Sequence, residues 1–278
     1  MKRSLVLLLF FTSLFGTVLP ENSPYPGGVI VKEVQSKVKP EAYYGKKELM
    51  VLPSGKKGSY LILAGVSLNQ KVGSAYNVTL QEGKKRRKLV LDLEDKAYLK
   101  QYITIKNKRK VSPEKMDMKR IHEESRRSHE ALALFTPQKF ISLAMAKPVD
   151  VTISNDFGKR RYFNKKPRRP HSGVDMPAPA GTDIVAPLAG KIVEMGAFFF
   201  NGNVIFIDHG LGLVSMYCHM SKFSVKREQS VKQGEKIGEV GATGRVTGPH
   251  LHWGVSLNGA MVDPRLFFAK GVSTKKDR

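Results

Sequence analysis

Turn-forming residues at short intervals constrain the fold of this chain more than any other sequence feature. Over residues 27–110, and again from about Thr136 onward, runs rich in Val, Ile, Leu and Tyr are separated by turns such as "PSGKKG", "APAGT" and "KQGEK". Short apolar runs with such boundaries are typical of β-strands. A length of 278 residues suggests about two domains. We therefore predict a mainly β protein with a small N-terminal antiparallel β-sandwich and a C-terminal antiparallel β-groove domain.

One segment, residues 112–135, has a helical pattern and lies between the two β regions. Ser112 suits the N-cap, Pro113 suits the first turn, and Pro137 stops the helix. His122 and His129 lie on this helix without partner ligands at a useful spacing, and we predict that they are solvated or capping residues. The predicted organisation is a signal peptide (1–20), a β-sandwich (21–110), a linker helix (111–136), the second β domain (137–270) and a basic tail (271–278).

The first residues resemble a secretory signal peptide. Lys2 and Arg3 precede an apolar run, from about Ser4 to Leu19, that is short for a membrane span of ~20 residues. An uncleaved N-terminal anchor is the alternative. We predict a protein exported to the periplasm or cell envelope, either soluble or tethered at its N-terminus.

The chain is strongly basic, with 47 Lys and Arg against 24 Asp and Glu and a net charge of +23. Such a charge attracts polyanions. We expect no nucleic-acid partner, because export argues against it and no basic motif is interleaved with aromatic residues. We expect anionic polymers of the cell envelope as partners. Cys218 is the only cysteine, so the chain has no intramolecular disulfide.

Two histidines two positions apart, in "GPHLHWGV", are the first sign of a site. On a β-strand, residues i and i+2 face the same side, so His250 and His252 should point together off one face, about 7 Å apart. Leu251, Trp253 and Val255 should then point into a core. Two imidazoles directed to one place indicate a metal.

"PHSGVDMPAP" supplies two further metal-binding side chains. Gly173 and the following prolines argue against a helix, so the segment should turn and enter a strand that brings His171 and Asp175 together. Imidazole nitrogen and carboxylate oxygen are both good zinc ligands. Together with His252 they make three protein ligands and leave an open position, as expected of a catalytic zinc.

Further histidines lie in the same region. If "GLVSMYCHM" is a strand, His219 shares a face with Tyr217 and projects with it into an open cleft, while Cys218 points to the opposite, apolar face. His219 and His250 are candidates for the general base and the oxyanion stabiliser, in either order. His209 ends an apolar strand and is predicted to be structural.

Three histidine motifs carry a family resemblance. "HSGVD", "YCHM" and "GPHLHW" occur in this order, with "APLAGKIV" and "NVIFIDHG" between the first two. Over roughly residues 150–270 the chain resembles the M23 metallopeptidases of the lysostaphin/LytM type, and the preceding β region with its helix is similar to the Ig-like domain of exported members. The resemblance implies an antiparallel β-groove with one zinc at its floor. It assigns His171, Asp175 and His252 as zinc ligands and His219 and His250 as catalytic histidines. Cys218 departs from the family, which more often has a small residue there.

The expected function is that of an exported zinc endopeptidase that hydrolyses peptide cross-links between the stem peptides of peptidoglycan. One alternative is a non-catalytic wall-binding protein that activates another hydrolase, and another is a basic polyanion-binding protein. The long helix suggests in addition that the N-terminal domain covers the groove until the wall or a partner displaces it.

Overall fold

A computed structural model describes residues 18–268, except residues 74, 139–141 and 155. Most of the predicted signal peptide and the whole of the predicted basic tail lie outside the described residues. Within the described part of the chain, no helix is both long enough and apolar enough to cross a membrane.

The elements follow one another in an order that matches the sequence prediction of strands, helix and strands. The first half contains β1 (Val29–Gln35), β2 (Glu41–Tyr44), β3 (Lys47–Glu48), β4 (Met50–Pro53), β5 (Ser59–Gly65), β6 (Tyr76–Glu82), β7 (Lys85–Leu91), β8 (Lys100–Ile103), α1 (Lys108–Val111) and α2 (Lys115–Leu132). The second half contains β9 (Arg160–Phe163), β10 (Lys166–Pro167), β11 (Val174–Pro177), β12 (Asp183–Val185), β13 (Gly190–Phe198), β14 (Gly202–Gly210), β15 (Leu213–Met220), β16 (Lys222–Phe223), β17 (Ser230–Val231), β18 (Lys236–Glu239), β19 (His250–Leu257), β20 (Ala260–Val262) and a 3-10 turn (Pro264–Phe267).

The N-terminal strands form two sheets, with strand orders β1-β5-β4 and β3-β2-β6-β7. Alternate residues of β5 explain how the first sheet is buried on both sides. Ile62 and Ala64 point into the core between the two sheets, whereas Leu63 points the other way, into the core of the C-terminal half. At Gly65 the backbones of the two halves lie close together, since a Cβ there would lie 2.5 Å from the carbonyl oxygen of Leu257. The two halves of the protein therefore share one hydrophobic core.

The C-terminal half is built on an antiparallel sheet of order β11-β19-β15-β14-β13-β17, with β20 paired to β19. Trp253, Val255 and Leu257 of β19 face the shared core and are fully buried, as their alternation predicts. Asn258 and Gly259 form the two-residue turn between β19 and β20, with φ of 54° and 72°. Positive φ at both central positions is the geometry of a type I′ turn, which favours Asn-Gly.

Helix α2 packs on the other face of this sheet, the face that carries His252. Its N-terminus has a capping box between Glu114 and Asp117, and its C-terminal carbonyl at Leu132 accepts a hydrogen bond from Ser256 Oγ at 3.0 Å. Ala131 joins an apolar cluster with side chains of β13, β14 and β15. On the outer side, Arg127 pairs with a buried Glu194 at 2.6 Å.

The structure corrects two local predictions in this region. The helix begins after Glu114, so Ser112 is not its N-cap but ends the short helix α1. The run "YLKQYITI", inside the range predicted for the β-sandwich (21–110), forms a strand, β8, but this strand does not join the N-terminal sheets. It pairs in parallel with β9, so that Lys100–Ile103 belong to a small sheet of order β10-β9-β8 beside the central sheet.

Candidate active site

Strand register brings two of the three predicted ligands together. Asp175 on β11 lies directly opposite His252 on β19, and directly opposed residues of an antiparallel pair share a face. His171 precedes β11 and is held by backbone hydrogen bonds, one from its own N–H to the carbonyl of Lys159 and one from Gly158 to its carbonyl. The predicted turn between His171 and the strand is therefore present, and the three side chains converge.

Three electron-pair donors meet at one point. His171 Nε2 lies 2.9 Å from His252 Nδ1 and 3.2 Å from Asp175 Oδ1, and the last two atoms are 2.8 Å apart. Tetrahedral ligands around a zinc ion at 2.0–2.1 Å would be separated by about 3.3 Å. The observed distances need to open by only a few tenths of an ångström, so this ligand set fits one zinc ion with an open coordination position.

Asp156 fixes which nitrogen of His171 is available. Both the backbone carbonyl of Asp156, at 3.1 Å, and its carboxylate, at 3.2 Å, lie beside His171 Nδ1. These oxygens only accept, so Nδ1 carries the proton and Nε2 presents its lone pair. A carboxylate or carbonyl behind a ligating histidine is the usual support of a metal site.

Burial and neighbouring groups shift the pKa values of all three predicted ligands. Burial alone would lower the pKa of His171, but hydrogen bonds to Asp156 and Asp175 outweigh it and the pKa is raised. Burial would raise the pKa of Asp175, yet hydrogen bonds with His171 and His252 hold it well below its usual range. Burial lowers the pKa of His252 to about 4, so this imidazole is neutral at physiological pH. Arg161 lies 3.2 Å from the outer oxygen of Asp175 and orients that carboxylate.

Gly173 is required by the position of His252. A Cβ at residue 173 would lie 2.8 Å from His252 Nε2 and 2.5 Å from the carbonyl oxygen of Trp253. A side chain at this position would collide with both groups. The carbonyl belongs to a paired strand and cannot move away, so the imidazole would be displaced. The glycine in "HSGVD" is thus part of the site without being a ligand.

His219 and His250 flank the ligands with matched orientations. His219 Nδ1 lies 2.8 Å from the carbonyl oxygen of Thr243, and His250 Nδ1 lies 2.9 Å from that of Gly248. Because a carbonyl only accepts, each Nδ1 is the donor and each Nε2 is free to take a proton. The two rings are 5.0 Å apart, and His250 Nε2 lies 3.8 Å from Asp175 Oδ1. Burial lowers the pKa of His219 to about 3, so that it is neutral at physiological pH.

Two predictions about the neighbours of His219 are wrong. Tyr217 does not project into an open cleft; it is fully buried in the shared core and hydrogen-bonds to Ser215. Cys218 does not point away from the site but lies opposite His252 and therefore on the same face. The cause is the left-handed backbone of His219, with φ of 67°, which breaks the strand alternation at that residue.

His209 is structural, as predicted. It is buried, and its two ring nitrogens lie 2.8 Å from the carbonyl oxygen of Ala189 and 2.7 Å from Ser215 Oγ. Burial lowers its pKa to about 4. His122 and His129 are exposed on α2, away from the ligands.

Sequence reasoning missed Asp156, Arg161 and the carbonyl of Thr243. Asp156 lies in "NDFG", which indicates a turn, and Arg161 lies in the basic run "GKRRYFNKKPRRPH", where it resembles its neighbours. Nothing in the local pattern distinguishes them, since their roles depend on contacts made across the fold. A backbone carbonyl has no sequence signal at all.

The profile of Peptidase family M23 matches residues 169–264, and that of the Peptidase family M23 N-terminal domain matches residues 22–96. A crystal structure of a peptidase M23 from Pseudomonas aeruginosa is 37% identical, with a TM-score of 0.74, and the alignment covers 88% of this chain and 95% of that one.

Curated relatives are similar over a shorter stretch. DD-carboxypeptidase/endopeptidase Mpg of Neisseria meningitidis is 43% identical over 112 residues, which are 40% of this chain and 26% of the relative. Peptidoglycan DD-endopeptidase ShyC of Vibrio cholerae is 38% identical over 123 residues, which are 44% of this chain and 28% of the relative. The chain thus matches only about a quarter of the length of these curated relatives.

Proposed function

The chain belongs to peptidase family M23, and from this premise we propose that it is a zinc-dependent endopeptidase that hydrolyses peptide cross-links in peptidoglycan. The observation that carries the proposal is the convergence of His171 Nε2, Asp175 Oδ1 and His252 Nδ1, beside two histidines whose Nε2 atoms are free. The names of the curated relatives support peptidoglycan as the substrate and a D,D cross-link as the bond.

His171, Asp175 and His252 would hold the zinc. A bound zinc ion would polarise the scissile carbonyl and lower the pKa of the attacking water toward ~7. His219 and His250 supply proton transfer. With Nδ1 of each ring donating to a backbone carbonyl, either Nε2 can take a proton from the attacking water. The same atom can then donate to the departing amine, or to the oxygen that develops negative charge.

Digestion of purified sacculi tests the proposal. Zinc-loaded protein should convert cross-linked muropeptides to uncross-linked ones, and chelation or His252→Ala should abolish this conversion. His122→Ala, on the exposed side of α2, is the matched histidine control and should retain activity. If zinc-loaded protein leaves the degree of cross-linking unchanged, the endopeptidase proposal is rejected.

The alternative, a non-catalytic activator of another hydrolase, predicts that His252→Ala preserves function. A complete set of ligand and proton-transfer residues argues against it, because a protein that only binds the wall has no use for them. His252→Ala also tests the polyanion-binding alternative. That alternative predicts an affinity for polyanions that falls with salt concentration and is unchanged by the mutation.

We also propose that the protein acts in the cell envelope and contacts its anionic polymers. The apolar N-terminal run supports export, and peptidoglycan lies outside the cytoplasm. A cleft of about 690 Å³ between the two halves supports the polymer contact, since its lining includes Lys96, Arg160 and Arg168 against one carboxylate, Asp95. Binding to anionic polymers should weaken steeply with salt.

The sequence suggests that the N-terminal domain covers the groove; we propose instead that α2 controls access to it. The β1-β5-β4 sheet packs on the core face of the central sheet, whereas α2 lies on the histidine face. Arg127→Gln, which removes the pair with Glu194, should loosen the helix and raise activity on small peptides. Unchanged activity would mean that α2 has only a structural role.

A further inference from the structure

Arg245 is held in an unusual position beside the site. It lies in the loop between β18 and β19, and its guanidinium carbon is 4.6 Å from the ring centre of Phe163 and 4.4 Å from that of Phe200. The two rings pack against the side chain and hold it in place. Burial and the nearby charges of Arg168 and Arg161 lower its pKa to about 10, so it remains charged at neutral pH.

The guanidinium of Arg245 has no anionic partner within the described part of the chain. None of its side-chain nitrogens donates to a described carboxylate or carbonyl, and none is among the fully buried unsatisfied atoms. The neighbouring arginines differ, since Arg161 donates to Asp175 and Arg168 donates to the carbonyl of Val111 at 2.6 Å. Arg245 therefore presents its N–H groups to solvent.

Backbone and ring contacts place Arg245 beside both sides of the site. Its N–H donates to the carbonyl of Phe200 at 2.9 Å, and Thr243, two residues earlier, accepts from His219. On the other side, Phe163 ends the strand whose Arg161 reaches Asp175. Arg245 is thus connected through the turn at Thr243 to His219, and through β9 to the ligand Asp175.

We propose that Arg245 is an anion-binding subsite that takes a carboxylate of the peptide substrate, next to the bond that is cut. The inference rests on the proposed function and specifies its substrate class as peptides with a free carboxylate beside the scissile bond. A guanidinium binds a carboxylate through two parallel N–H···O bonds, and the two phenylalanine rings hold it ready in one orientation. Repulsion from Arg161 and Arg168 disfavours an empty subsite and is relieved when an anion binds.

Two matched peptides test the subsite. Both are synthetic cross-linked peptides, identical except that the residue flanking the scissile bond carries either a free carboxylate or a carboxamide. Zinc-loaded wild-type protein should show a KM about ten- to a hundredfold lower for the acid, with a similar kcat, as expected for a charge-assisted hydrogen-bonded pair. Arg245→Met keeps apolar packing between the rings and should remove this preference. Arg245→Lys keeps the charge without the paired geometry and should retain only part of it.

Arg86→Gln, an exposed arginine on the N-terminal sheet, is the control and should leave the preference intact. If Arg245→Met still prefers the acid as wild-type does, or if wild-type shows no preference, the subsite is rejected. If wild-type cleaves neither peptide, the endopeptidase proposal fails, and fluorescence anisotropy with the two labelled peptides decides the subsite alone. Tighter binding of the acid that Arg245→Met abolishes supports it, and equal binding of the two peptides overturns it.

Discussion

Asp156→Asn tests whether the support behind His171 determines metal binding. The substitution preserves the size of the side chain but removes the carboxylate that lies 3.2 Å from His171 Nδ1. Loss of such a partner typically lowers metal affinity 10- to 100-fold. The backbone carbonyl of the same residue still accepts from Nδ1 at 3.1 Å, so we expect the lower end of that range. A tenfold loss in zinc affinity corresponds to about 1.4 kcal/mol.

Competition with a chromophoric zinc chelator at neutral pH measures this loss directly. Asp150→Asn is the control, because Asp150 is an exposed aspartate on the same connecting segment. Thermal unfolding of both zinc-free variants should show that the fold is intact. A zinc affinity for Asp156→Asn equal to that of Asp150→Asn would refute the role assigned to Asp156, and with it the argument that Nε2 of His171 is the prepared ligand atom.

Three further predictions concern the packing beside a ligand, one buried histidine and the shared core. Gly173→Ala should lower zinc affinity at least tenfold in the same chelator assay, because its Cβ would lie 2.8 Å from His252 Nε2; unchanged affinity would contradict the packing argument. His209 has a pKa of about 4 when folded against about 6.5 when unfolded, so the unfolded state binds more protons in this window and stability falls as pH drops from about 6.5 to 4, by up to about 3 kcal/mol. His209→Gln should flatten that slope in denaturant titrations across this pH range, and an unaltered slope would assign it to other groups. A fragment that begins at Thr136 should be poorly soluble and bind a hydrophobic dye, since it lacks α2 and the N-terminal side of the shared core; cooperative unfolding of a soluble fragment would contradict this.

The ligand-bearing strands could be predicted from the sequence because their signals are local. A two-residue step placed His250 and His252 on one face, and Asn258-Gly259 fixed the hairpin that follows. The fold class followed from the same periodicity and turns. The strand register adds the pairing of these residues across the sheet. The sequence suggests that Asp175 reaches His252, and the register shows that the two residues are directly opposed.

The failures arise where one backbone angle or one distant contact decides the outcome. The alternation rule assumes extended backbone at every residue, and the left-handed conformation of His219 violates it. The rule therefore pairs His219 with Tyr217, whereas its ring lies on the face shared by Cys218 and His252. The conformation itself is explained only by tertiary contacts, since the N–H of His219 donates to the carbonyl of Asn201 and its ring to that of Thr243.

The largest difference between sequence and structure concerns α2. A helix between two β regions suggests a connector, but Ala131 and its neighbours bury an apolar cluster on the histidine face, while Glu124 accepts from the N–H of Phe199. One face of the central sheet is therefore divided, with an apolar half under α2 and a polar half that carries the ligands. Because the opposite face is covered by the β1-β5-β4 sheet, the polar half is the part of the central sheet that the described residues leave for a substrate to reach. The first half of the chain thus determines where the groove is, and not only whether it is open.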